Sequence, residues 1–392
     1  MMDPEVSLLL HCAAWRGLLQ TQVQVELSER FNRQTDLCLE HHINEVWTER
    51  LSKEPWLFNG AKFRLHSFCL ASLKHPRYPQ SSHVPVLHWD EDQEMQRGDD
   101  AAAWHRMDIR NGCLNQTQDV GGVIQKTASM PSQVSSTCNS GELRGSTGDS
   151  QSHSGPLLTL RLGLTCYKDY LGTNWSNQVS ELRLRGEELF GDPLALLAQP
   201  LGVGAMLCTA DGQLVMIRRS QRVAEAGGLL DIPGGHPEPK AVCECLGQEV
   251  REEQISAVMM QQRPDAVVSE LFSSVSAEIR DEVNIPMSFL GAPVLLGVAL
   301  NNTSAGRPSA EFYVSCSLTS DEVRELYWKG GAEANESTDV VFISKTEVLQ
   351  LNRSSPLWSE MCPSAKGAVL LYQEVKPDGK PTASKAQLKT TQ

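Results

Sequence analysis

Three acidic side chains, Glu278, Asp281 and Glu282, fall at i, i+3 and i+4 in a segment, residues 268–285, with helical apolar spacing. At about 100° per residue they share one face, while Phe272, Val275, Ile279 and Val283 form a stripe roughly a quarter-turn away. Such a helix can pack its stripe on a sheet and offer carboxylates to a cleft. Carboxylate oxygens suit hard Mg²⁺, which completes its octahedron with waters and substrate phosphates. A metal so held polarises a P–O bond and lowers the pKa of a bound water. A solvated acidic face is the commoner fate of Glu and Asp on helices, so the helix alone decides nothing. A second piece tips the balance. Residues 231–238, DIPGGHPE, read as a short strand entering a turn at Gly234-Gly235, where glycine permits close approach of backbone to a ligand. Arg218 and Arg219, ending the strand before it, offer guanidinium forks for phosphate oxygens, or else form a surface pair.

The elements that must position these groups follow from periodicity and turn chemistry. Residues 203–209 and 213–218 flank Asp211-Gly212, a strong hairpin signal. Residues 294–300 and 310–316 read as further strands, and 340–343 as another. Thr319 to Glu322 forms a capping box that starts a helix through Tyr327, and residues 364–372 form a last helix. In the first half, Ile43, Val46, Trp47 and Leu51 make a helical stripe, and residues 63–70 and 157–165 alternate as partner strands.

Between those partners, residues 76–155 are dominated by Ser, Gly, Gln, Asn and Asp and cannot bury enough area to offset their ordering entropy. They are expected to be a disordered insertion in an N-terminal domain, 1–198. A second domain follows at 199–376, then a flexible tail at 377–392. The chain has 392 residues and a formal charge of -13, with a pI near 5.3 and a mean hydropathy of -0.29. That balance argues against a surface that coats nucleic acid. There is no apolar run of membrane-spanning length and no basic leader, so an intracellular protein, cytoplasmic or nuclear, is expected, without membrane partners. The 11 cysteines lack framework spacing and are expected to be reduced; Cys243 and Cys245 have no second pair at zinc-like spacing.

The glycine turn and the acidic helix together resemble the Nudix box, G-x5-E-x7-R-E-U-x-E-E-x-G-U, split by an insertion of about forty residues. Residues 277–285, AEIRDEVNI, keep the three acids, but Ala277 stands for the arginine, Asp281 for the second acid and Asn284 for the glycine. The upstream glutamate of the box aligns with Ser269, with Glu270 one place off, and is left unassigned. The resemblance covers roughly residues 200–372 and implies an α/β/α Nudix sandwich, preceded by a smaller α/β domain. Residues 171–175, 233–239, 302–307 and 310–314 further resemble the Nudix UDP-glucose and UDP-galactose diphosphatases of animals. What this implies is Mg²⁺-dependent cleavage of a UDP-sugar to UMP and a sugar 1-phosphate.

On matching positions the resemblance makes Glu278 and Glu282 metal ligands, with Asp281 lending charge. It makes Phe58, Tyr167, Arg219, Ala224, Asp231, His236 and Glu238 substrate-binding residues. Asp231, His236 and Glu238 suit sugar hydroxyls or the uracil edge, since each accepts or donates several hydrogen bonds. Phe58 and Tyr167 suit the nucleoside at a domain junction, and Trp175 is assigned to core packing. The catalytic base is Glu278 or Glu336. The alternatives are a Nudix hydrolase of ADP-ribose or coenzyme A type, and a binding module without turnover.

Overall fold

A computed structural model describes residues 3–71, 157–223, 225–333 and 335–379. The expected insertion at 76–155, and the tail beyond 379, lie outside the described residues. In chain order the strands are β1 (Val6–His11), β2 (Val23–Leu27), β3 (Ala61–Leu70), β4 (Leu158–Cys166), β5 (Gly202–Cys208) and β6 (Gln213–Arg219). They continue with β7 (Leu230–Asp231), β8 (Gly234–Gly235), β9 (Val294–Asn301), β10 (Arg307–Ser315) and β11 (Ser337–Ser344). The helices are α1 (Leu37–Lys53), α2 (Tyr167–Gly172), α3 (Val179–Phe190), α4 (Pro239–Cys245) and α5 (Ala257–Gln261). After them come α6 (Pro264–Val283), α7 (Ser320–Lys329), α8 (Lys345–Gln350), α9 (Pro356–Ser359) and α10 (Pro363–Val375).

The order β1-β9-β10-β5-β6-β11 makes a mixed sheet, with β8 on β5 and β7 on β6. Within it β10 and β5 run parallel. A smaller sheet, β2-β4-β3, carries the expected strand partners in antiparallel register from Ala61 opposite Cys166 to Leu70 opposite Leu158. Strand alternation sends Val203, Ala205 and Leu207 of β5 to one face, where they pack with Val268, Leu271, Phe272, Val275, Ile279 and Val283 of α6. The same core continues into Val23, Val25 and Leu27 of β2, so α6 lies between the two sheets. On the other face Met206, Cys208, Met216 and Leu296 meet Ala365, Ala368, Val369 and Tyr372 of α10. The architecture is the expected α/β/α sandwich.

The sequence boundary at 198/199 is crossed by β1, which pairs with β9 from Val6 opposite Asn301 to His11 opposite Gly297. Its run of Leu8, Leu9 and Leu10 carries no period-2 alternation to mark it as a strand. The Asn284 departure has a structural account. Asn284 caps α6 in the left-handed region at φ 63, its N–H bonding the Arg280 carbonyl. Its Nδ2 donates to the Leu326 carbonyl at 2.8 Å. Asn is the residue after Gly that tolerates this cap.

Candidate active site

The glycine turn and the acidic helix meet. Gly204 pairs with Gly234 and Val203 with Gly235, which brings the turn onto the central strand β5. The Gly234 N–H donates to Glu282 Oε2 at 2.9 Å. Glu278, one helical turn earlier, lays its carboxyl against Gly235: a methyl carbon there would lie 2.5 Å from Glu278 Cδ. A methyl on Gly234 would collide with the Val203 carbonyl and stand 3.0 Å from Gly204 Cα. The turn is therefore glycine twice because backbone and carboxylates occupy the space a side chain would need. Asp281 goes elsewhere. Its carboxylate forms a fork with the Arg280 guanidinium, 2.7 Å at both oxygens, and only its backbone carbonyl reaches the loop before β11, accepting from the Glu333 N–H at 3.0 Å.

Electrostatics set these acids under tension. Burial pushes the Glu282 carboxyl well above the carboxylate range; the Gly234 N–H opposes the rise, and Glu278, Asp231 and Glu336 add to it. Burial, then the charges of Glu333, Glu336 and Asp281, push Glu278 up to about 7, with Lys62 of β3 opposing. Among the described residues no three His, Cys, Asp or Glu side chains converge as a metal-holding group.

A cleft of about 640 Å³ opens beside the turn, lined by both glycines and by residues of β3, β6, β7, β9, β10 and the start of α10. Of the expected binding residues, Phe58, Tyr167, Arg219, Asp231, His236 and Glu238 line it, as does Glu336. Ala224 lies outside the described residues. Arg219 is held by two partners: Nη1 donates to Asp231 Oδ2 at 3.0 Å, and Nε to the Glu225 carbonyl at 3.1 Å. The other oxygen of Asp231 accepts from the Ile232 N–H and from Ser364 Oγ at 3.0 Å. Asp231 thus orients Arg219 and has little capacity left for a sugar. Arg218 turns outward to Gly228 and Glu360. Glu238 is exposed, and its N–H donates to Glu270 Oε1 at 2.9 Å, which gives that unassigned glutamate a place beside the turn.

Several site residues were not foreseen. Arg307 of β10 bonds Glu225 Oε2 at 3.1 Å, lies 3.5 Å from His236 Nε2 and sits over the Tyr170 ring at 5.7 Å. Burial holds His236 well below its usual pKa, with Lys62 and Arg307 adding to the effect, so it is a neutral hydrogen-bonding group. Tyr170 donates to Glu225 and stacks between Tyr167 (6.4 Å) and Trp175 (5.9 Å). The assignment of Trp175 to the core is corrected: the ring is 37% exposed and lines the cleft, because Tyr170 rather than Trp175 takes the buried position. The signal for Arg307 lay in β10, where alternate residues Arg307, Ser309 and Glu311 break an otherwise apolar strand.

No family model matches the chain. Over 383 residues, 98% of this chain and 96% of the relative, it is 42% identical to uridine diphosphate glucose pyrophosphatase NUDT22 of Homo sapiens. The chain belongs to the NUDT22 family of Nudix hydrolases. The Bos taurus NUDT22 is 41% identical over 375 residues, 96% of this chain and 99% of its own length. Nudix hydrolase 9 of Arabidopsis thaliana is 28% identical over 362 residues, 91% of this chain and 89% of its own. Among solved structures, the MutT protein of Methanosarcina mazei Go1 matches 46% of this chain and 94% of its own, at 13% identity and a TM-score of 0.26.

Proposed function

We propose that this chain hydrolyses the diphosphate of UDP-glucose and related UDP-sugars such as UDP-galactose, releasing UMP and the sugar 1-phosphate. The observation that carries this reading is the meeting of Glu278 and Glu282 at the Gly234-Gly235 turn, whose two glycines line a cleft that also presents Arg219. Relatives named uridine diphosphate glucose pyrophosphatase support the substrate. Water adds to one phosphorus, the bridging P–O bond breaks with its electron pair leaving on oxygen, and the water protons end on the products or a base.

The donor set fits Mg²⁺: Glu282 is buried and Glu278, four residues before it, is half-buried, and burial with neighbouring acids raises the proton affinity of both, an unbalanced charge that a hard cation relieves. Glu278 and Glu282 would hold the ion, which would supply charge neutralisation at the diphosphate and an acidified water. Arg219, braced by Asp231 and the Glu225 carbonyl, offers its free edge to phosphate oxygens. Phe58, Tyr167 and Trp175 offer aromatic surface to the uracil, and neutral His236 with Glu238 offers hydrogen bonds to hydroxyls. Glu278 and Glu336 are the two candidates for taking a proton from water; exchanging each for Gln separates them.

The test is incubation of the purified chain and Mg²⁺ with UDP-glucose, ADP-ribose and NADH. Preferential UMP release that disappears in Glu282→Gln is the expected result. Faster turnover of ADP-ribose, or tight UDP-glucose binding without turnover, would overturn it.

A further inference from the structure

Glu311 stands in the middle of β10, paired with Gly204 of β5 on one side and Gly297 of β9 on the other. It is fully buried, and neither carboxyl oxygen has a partner in good hydrogen-bond geometry among the described residues, although the Ser309 hydroxyl lies nearby. Buried polar groups in native proteins are almost always satisfied, and the exceptions concentrate at functional sites. The carboxyl is also aimed. It lies over Gly204, where a methyl group would collide with it and stand 2.6 Å from Ile232 Cδ1. Both Glu311 and Gly204 border the cleft, together with the small residues Gly202, Ala299 and Ser309.

We propose that Glu311 is a substrate-contacting, specificity-determining residue whose carboxyl, on the cleft floor, hydrogen-bonds a hydroxyl of the substrate's sugar. The inference rests on the UDP-sugar reading above. Strand alternation puts Arg307, Ser309 and Glu311 on one face. Arg307 lies by the Tyr170 ring, so Glu311 is about 13 Å further along the strand from the aromatic end that suits a base. A carboxyl offers phosphate no positive charge, and Arg219 already supplies it. A hydroxyl both donates and accepts, which matches a carboxylic acid in its neutral form. Burial, with Asp231 adding and the nearby Ser309 hydroxyl and Arg307 opposing, pushes the carboxyl up to about 8, so it carries its proton at neutral pH. A neutral acid also avoids repelling the diphosphate beside it.

The experiment compares wild type, Glu311→Gln and Glu311→Leu in the full chain. It measures KM and kcat for UDP-glucose, the competitive inhibition constant of UDP, which lacks the sugar, and the Tm. Glu311→Gln keeps a donor and an acceptor and is expected within about threefold of wild type in every parameter. Glu311→Leu keeps volume and removes both, and is expected to raise KM for UDP-glucose about tenfold with the UDP inhibition constant unchanged. An unchanged KM in a folded Glu311→Leu overturns the inference. An equal weakening of UDP and UDP-glucose overturns it as well, because the contact then belongs to the nucleotide. Should Glu311→Leu not fold, wild type is compared on UDP-glucose and its deoxy-sugar analogues: a KM raised about tenfold for one analogue supports the contact, and an equal KM for UDP-glucose and every analogue overturns it. A wild type that neither binds nor hydrolyses UDP-glucose removes the functional reading itself, an outcome distinct from any of these.

Discussion

Replacing Gly235 with Ala tests the joint between turn and helix without touching a charged group. Gly235 does not sit in the left-handed region, so alanine can adopt its backbone, and the added methyl is the whole perturbation. That methyl would lie 2.5 Å from Glu278 Cδ, where ordinary contact begins at 3.4 Å. The carboxyl must therefore withdraw by at least about 0.9 Å, and it can, being the free end of a flexible side chain. A displacement of about 1 Å at a reacting centre costs on the order of 100-fold in rate, equivalent to about 2.7 kcal/mol in the barrier. Since a side-chain tip yields and not the backbone, stability should hold, with Tm within a few degrees of wild type. Gly234→Ala is the internal control: its methyl meets the Val203 carbonyl and the Gly204 backbone, so it should lower Tm as well as activity. The assay is UMP release from UDP-glucose by chromatography at saturating Mg²⁺, paired with calorimetric melting. Wild-type turnover in Gly235→Ala would refute the argument, for it would mean that the position of Glu278 against the turn does not matter to the reaction.

Three further outcomes follow from the same geometry. Glu282→Gln should abolish turnover yet melt higher than wild type in metal-free buffer. The folded-state pKa of Glu282 is raised, so its contribution to stability is present below the unfolded value near 4.5 and is lost as pH rises through the folded one. The advantage of the variant should accordingly widen from pH 4 to pH 8, and a constant gap across that window would contradict the assignment. Added Mg²⁺ should raise the Tm of wild type more than that of the variant, by mass action on a site the variant lacks half of. Arg219→Lys keeps charge but cannot span Asp231, the Glu225 carbonyl and a phosphate oxygen at once. Its KM for UDP-glucose should rise about tenfold, and an unchanged KM would remove Arg219 from the binding site. Trp175→Ala should raise KM by roughly tenfold if uracil stacks on the exposed ring; a loss of Tm with unaltered KM would return Trp175 to a packing role.

What could be read from residues alone was governed by the range over which each signal acts. The acids of α6 and their apolar stripe are local, four residues apart, and the helix they imply is the helix that forms. The hairpin signal at Asp211-Gly212 is local too, and Cys208 faces Leu214 across it. β1 was not legible because its strand character comes from pairing with β9, nearly three hundred residues later, and a run of three leucines carries no period. The site divides along the same line. Glycine next to glycine before an acidic helix announces a close approach, whereas nothing near Trp175 says that Tyr170 will take the buried place and leave it at the cleft. Arg307 and Glu311 mark the middle case. In an apolar strand paired on both sides, a buried acid that forms no ion pair among the described residues is a conflict that folding alone does not resolve. The periodicity of β10 displays the conflict. Its resolution needs knowledge that Gly204 sits opposite and that a cleft opens above, which is tertiary information. A lone acid at an inward strand position facing a glycine is therefore the pattern by which a cleft-floor residue of this kind can be sought in a chain.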